Sequence, residues 1–148
     1  MWSKTEIEPE EIDYQSMEVV SPGYILRPEI VESTYYLHHF VTQGSILESG
    51  ENRHWPKQTR VTLDAVGEFY LRAGESMWRN FVKYCRTEEA YAALKSVITK
   101  EKSDSMQSFL FAETFKYFYL LFAPPETLNF DKVIFNTEAH PVRRRFPR

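Results

Sequence analysis

Between Ser105 and Phe122 the chain carries Met106, Phe109, Leu110, Phe111, Ala112, Phe115, Phe118, Tyr119, Leu121 and Phe122, more apolar residues than one helix face can hold. A helix apolar on most sides needs neighbours nearly all round, so this run demands a helical assembly. It is about long enough to span a bilayer, yet Gln107, Ser108, Glu113, Thr114 and Lys116 interrupt it, and it reads as a buried helix with no membrane span. Asp104 or Ser105 is placed to cap its start, and Pro124-Pro125 to stop it.

Two further helices are predicted. Pro28 suits a first helical position, and Ile30, Val31, Tyr35, Tyr36, Leu37, Phe40 and Val41 recur at spacings of three, four and seven, which gives a helix from about Pro28 to Val41. Tyr70, Gly74, Met77, Trp78, Phe81, Val82 and Cys85 mark another. Between them the pattern dissolves from Gln43 to about Gly67, which is expected to be a long loop. Residues 1–23 hold six acids against Lys4 and end in Ser21-Pro22-Gly23, so they read as an acidic polar arm, with order beginning after the turn. Tyr91 to Thr99 is expected to be an irregular connector and Val133-Ile134-Phe135 a short strand. The fold class is therefore all-α with irregular loops and short strands. Three such helices leave the third with an uncovered face, so the chain reads as part of a larger assembly.

Charge and cysteine usage exclude several functions. Lys and Arg total 18 against 21 Asp and Glu, a net charge of −3, so there is no electrostatic case for nucleic acid. The arginines at 143, 144, 145 and 148 read as a solvated tail. Cys85 stands alone, which removes an internal disulfide and gives no support to zinc or a cysteine nucleophile. His38 and His39 are adjacent on a helix and cannot face one metal together. Residues 1–11 lack the basic start and apolar stretch of a signal peptide.

What remains is oxygen chemistry. Glu29 and Glu32 lie on one side of a first helical turn just after Arg27, where acids also complement the helix dipole. Glu113 sits among Phe111, Ala112 and Phe115, and a buried carboxylate must be paired, with Lys116 the nearest candidate, or functional. Asn136-Thr137-Glu138 offers a hydroxyl, carbonyls and a carboxylate, hard donors suited to Ca²⁺, although any polar turn offers the same atoms.

Four ordered blocks carry a family likeness: Tyr24-Ile25-Leu26-Arg27-Pro28-Glu29-Ile30-Val31-Glu32-Ser33, Lys83-Tyr84-Cys85-Arg86-Thr87-Glu88, Ser108-Phe109-Leu110-Phe111-Ala112-Glu113-Thr114-Phe115-Lys116-Tyr117, and Phe135-Asn136-Thr137-Glu138-Ala139-His140-Pro141. Together they resemble the C-terminal part of the class I α-1,2-mannosidases, glycoside hydrolase family 47. Glu8-Pro9-Glu10 resembles a weaker element of the same family.

The resemblance implies the last helices of an (α/α)₇ barrel, a partial catalytic domain over residues 1–148, and a Ca²⁺-dependent inverting hydrolase that trims terminal α-1,2-linked mannose from high-mannose N-glycans in the endoplasmic reticulum or Golgi. By the same resemblance, Glu29 matches the general base and Thr137 the calcium ligand, through its hydroxyl and carbonyl. Arg27, Glu32, Phe109, Glu113 and Glu138 match residues that hold the terminal mannose or the waters around the ion. The family's general acid lies upstream of the first block, so a partner supplying the N-terminal part of the barrel is expected. Residues 46–69 have no counterpart in the usual family spacing and stand out as an atypical insertion. A mannosidase-like glycan-binding factor of glycoprotein quality control, and a truncated product without function, are the alternatives.

Overall fold

The computed structural model describes the backbone of residues 2–47 and 57–145, and the side chains of residues 4–42 and 64–145. In order, its elements are α1 (Trp2–Thr5), β1 (Glu11–Ile12), β2 (Val19–Ser21), α2 (Glu29–Leu47), α3 (Lys57–Cys85), a π-helical turn (Leu110–Thr114) running into α4 (Phe115–Phe122), a 3-10 turn (Pro125–Thr127), β3 (Val133–Phe135) and β4 (Pro141–Arg143). The fold is helical, with two small antiparallel ribbons, β1 with β2 and β3 with β4. No described helix is long and apolar enough to cross a membrane.

Helices α2 and α3 run antiparallel: Gly67 lies against His38 and Thr42, while Met77 and Phe81 lie beside Val31. The His38 Nδ1 bonds the Gly67 carbonyl at 2.9 Å. Helix α4 packs on both, and the core joins Leu26, Val31 and Tyr35 to Phe81, Leu110, Tyr117 and Leu121. Glycine makes one of these approaches feasible. A Cβ on Gly74 would come within 2.1 Å of Leu121 Cδ2 and 3.3 Å of its Cγ, and Leu121 is only 2% exposed. Gly74→Ala is therefore expected to destabilise the fold by about 1–3 kcal/mol through overpacking, against about 0.5–1 kcal/mol returned by alanine's better helix propensity. A urea midpoint at or above that of the parent would contradict this packing.

Several sequence expectations need correction. The acidic arm is packed rather than loose. Ile7 is buried, Tyr84 donates its hydroxyl hydrogen to the Glu6 carboxylate, Lys100 donates to the Thr5 carbonyl, and Asn80 Nδ2 donates to the Glu6 carbonyl at 2.8 Å. The predicted loop from Gln43 to Gly67 is instead helical through Leu47 and again from Lys57, with residues 48–56 outside the described part. The run from Ser105 begins its helix only at the π turn, and neither Asp104 nor Ser105 caps it. Phe109 holds the cap position with no side-chain bond, because the backbone of Ser103 and Ser105 is engaged in pairing with Ala93. His39 is buried against the Phe130 ring. Arg143, Arg144 and Arg145 are exposed as expected, although Arg143 belongs to β4 and Arg144 donates to the Phe130 carbonyl.

The helix stop at Pro124-Pro125 and the strand Val133–Phe135 appear as read. So does the open face of the third helix. Phe111, Tyr119 and Phe122 are exposed, and a groove of about 660 Å³ runs between Trp78, Tyr91, Phe118 and Pro124.

Candidate active site

The segment leading into α2 is held in an unusual shape. Leu26 is fully buried with φ +70°, a left-handed conformation that costs a non-glycine residue about 1–2 kcal/mol. Its carbonyl accepts the buried Thr114 hydroxyl at 2.7 Å, and two residues earlier Tyr24 exchanges backbone bonds with Leu94 at 2.8 and 3.0 Å. These bonds over-determine the strained corner, as strain persists only where its surroundings enforce it. Beyond the corner, Pro28 presets the helix and accepts the Glu32 N–H at 2.7 Å. Arg27, Glu29 and Glu32 are thereby delivered together at the start of α2.

Glu29 projects from the first turn with its side chain 60% exposed, and Arg27 Nη1 lies 3.5 Å from its Oε1. The guanidinium is held more tightly from the other side, where Nε donates to Glu10 Oε2 at 2.5 Å. That bond and the field of the two carboxylates raise the Arg27 pKa. Glu8, Glu10, Tyr24, Arg27 and Glu29 line one open cavity of about 370 Å³. Glu8, given no role by the sequence beyond its place in the Glu8-Pro9-Glu10 element, is pushed up to about 7 by burial first, then by Glu10 and Glu29.

The remaining predicted residues approach from the far end of the chain. Tyr117 donates its hydroxyl hydrogen to Glu32 Oε1 at 2.8 Å, and burial together with this contact raises the phenol pKa. Glu113 sits in the π-helical turn, a distortion frequent at functional sites. Its carboxyl is raised by desolvation and then by Glu32, Glu29 and Glu138, with Lys116 opposing. Four predicted carboxylates from three segments therefore feel one another at Glu113. Lys116 makes its hydrogen bond elsewhere, donating to the Ala139 carbonyl at 2.7 Å. That bond ties the 136–140 loop to α4.

Within the loop, Asn136 Oδ1 accepts the Glu138 and His140 N–H groups at 3.1 and 2.8 Å, and Ala139 is fully buried at φ +55°. Thr137 and Glu138 are consequently presented outward, both exposed. Phe109 is partly exposed at the start of the π turn, one turn before Glu113.

The donor chemistry fits a hard divalent cation. Among the described residues no three His, Cys, Asp or Glu side chains converge closely enough to hold a metal by themselves. A cation at the Thr137 loop would therefore rest on the hydroxyl, a backbone carbonyl and water, all oxygen donors that Ca²⁺ accepts. The mutual repulsion centred on Glu113 is what a nearby positive charge would relieve.

The family model described as Glycosyl hydrolase family 47 matches residues 60–144. A mannosyl-oligosaccharide 1,2-alpha-mannosidase of Arabidopsis thaliana is 39% identical over 129 residues, 87% of this chain and 19% of the relative. An ER degradation-enhancing alpha-mannosidase-like protein 3 of Homo sapiens is 39% identical over 117 residues, 78% of this chain and 10% of the relative. The solved alpha-1,2-mannosidase from Trichoderma reesei superposes with a TM-score of 0.63 at 30% identity, covering 86% of this chain and 23% of that one. The chain thus spans less than a quarter of each of these three proteins, and its helices agree with the expected portion of an α/α barrel. Because the family match covers more than half of its 148 residues, and its fold coincides with that of a solved α-1,2-mannosidase, the chain belongs to glycosyl hydrolase family 47.

Proposed function

We propose that these residues form the general-base and calcium-binding part of an inverting α-1,2-mannosidase that removes terminal mannose from high-mannose N-glycans in the secretory pathway. The observation that carries the reading is geometric: Thr114 donates to the Leu26 carbonyl and Tyr117 to Glu32, while Lys116 donates to the Ala139 carbonyl, so the α2 entry with Glu29 and Glu32, the turn with Glu113 and the loop with Glu138 are tied into one region. Glu29 suits the base because it is exposed on an open cavity and only loosely paired. It takes the proton of a water attacking the sugar carbon from the face opposite the leaving oxygen. Arg27, Glu32, Phe109, Glu113 and Glu138 hold the terminal sugar and its waters. Ca²⁺ held by Thr137 would bind sugar hydroxyls and favour a distorted ring. An inverting displacement also needs a carboxylic acid about 6.5–9.5 Å from the base, and that acid belongs to the upstream part of the barrel.

A second reading, a mannosidase-like factor of glycoprotein quality control, draws on the equal 39% identity to the human alpha-mannosidase-like protein. One experiment separates the two. The 148 residues are substituted for the matching segment of the Trichoderma reesei enzyme, and the chimera is given α-1,2-mannobiose. Turnover that releases β-mannose first, stops with a chelator and returns with Ca²⁺ is the expected result. A folded chimera that binds the disaccharide without cleaving it would favour the second reading.

A further inference from the structure

We infer that Glu10 is a positioning residue that holds the Arg27 guanidinium away from Glu29, so that the Glu29 carboxylate stays open to water. The inference rests on the hydrolase reading and deepens it. The Glu10 carboxylate spends both oxygens on the segment that delivers Arg27: Oε1 accepts the Ile25 N–H at 3.0 Å, and Oε2 accepts Arg27 Nε at 2.5 Å. Its own backbone N–H is tied to the Gly23 carbonyl at 2.8 Å, so the acid is fixed at both ends. Its side chain is 20% exposed against 60% for Glu29. Arg27 thus stands between two carboxylates at unequal distances, 2.5 Å from the shielded one and 3.5 Å from the exposed one. A planar guanidinium offers five donors in a rigid fork, and it closes on whichever carboxylate is available. Without Glu10, the remaining partner is Glu29. Closure there would occupy the lone pairs that must receive the proton of water.

Glu10→Gln tests this, since an amide has one oxygen and can keep only one of the two bonds. In the 148-residue chain labelled with ¹⁵N-arginine, the Arg27 Nε–H signal is assigned by its loss in Arg27→Lys. It is expected to move in Glu10→Gln and to stay in Glu29→Gln. In the chimera, Glu10→Gln is expected to lower kcat by up to about 10²-fold, the scale of a misplaced group, while KM changes by less than about threefold. Glu10→Asp, which keeps the charge but withdraws it by one methylene, serves where the glutamine variant does not fold, with the same directions expected. An unmoved Arg27 signal in a folded Glu10 variant, or a signal that follows Glu29 equally, overturns the inference. So does an unchanged kcat in an active chimera. The signal requires no turnover, so its failure is distinguishable from failure of the hydrolase reading, which an inactive parent chimera reveals.

Discussion

Glu29→Gln, placed in the active chimera, is expected to lower kcat by about 10²–10⁴-fold, the usual contribution of a general base, with little change in KM. The amide has nearly the shape of the carboxylate but cannot accept a proton, so the attacking water must lose its proton unaided. Folding has little reason to respond. The side chain is 60% exposed, and its contact with Arg27 is 3.5 Å long, an exposed pair of the kind that contributes little to stability. The measurement is kcat and KM on α-1,2-mannobiose, with the thermal midpoint as control. Near-normal turnover by the folded variant removes Glu29 from the role of base.

The second large effect lies in stability. Burial holds the Glu8 carboxyl at about 7 in the folded chain, whereas an unfolded glutamate titrates near 4.5. Between these values the folded state binds the proton more tightly than the unfolded one. The associated stability is therefore complete below about pH 4.5 and is lost as pH rises through 7, a loss of about 3 kcal/mol. Glu8→Gln has no proton to lose and escapes that loss. Urea unfolding at pH 5 and pH 8 should show the variant exceeding the parent at pH 8, with the difference shrinking at pH 5. Parallel pH dependence in the two proteins would show that Glu8 is not buried in the folded chain as a titrating group.

Periodicity made α2 and the apolar part of α3 readable, because each buries one face over several turns, and Pro124-Pro125 made the end of α4 readable by removing donors. The candidate residues near Arg27 and in the Asn136–Pro141 loop stood out as oxygen-rich patches and as family-like blocks. What failed to show was whatever depends on a distant partner. The acidic arm reads as solvated because its order comes from Tyr84, Asn80 and Lys100, more than seventy residues away. The π-helical start at Leu110 is fixed by Thr114 reaching Leu26, not by a local cap. Glu8 and Glu10 were visible only as a weak family-like element, and their surroundings appear only once Tyr24 and Arg27 fold over them. Lys116 pairs in sequence with Glu113, but the Ala139 carbonyl takes its hydrogen bond.

The bonds that shape the α2 entry also set when it can exist. The Leu26 carbonyl is met by Thr114, 88 residues later, and Glu32 by Tyr117, 85 residues later. During synthesis at about 5–20 residues per second, that separation amounts to roughly 4–18 s. Throughout that interval Glu29 and Glu32 have been made without the helix that meets them. A ribosome stalled before residue 114 therefore carries a chain whose α2 entry is still free to abandon the left-handed corner, and the pocket takes its shape only after Thr114 and Tyr117 have been made and have left the ribosome.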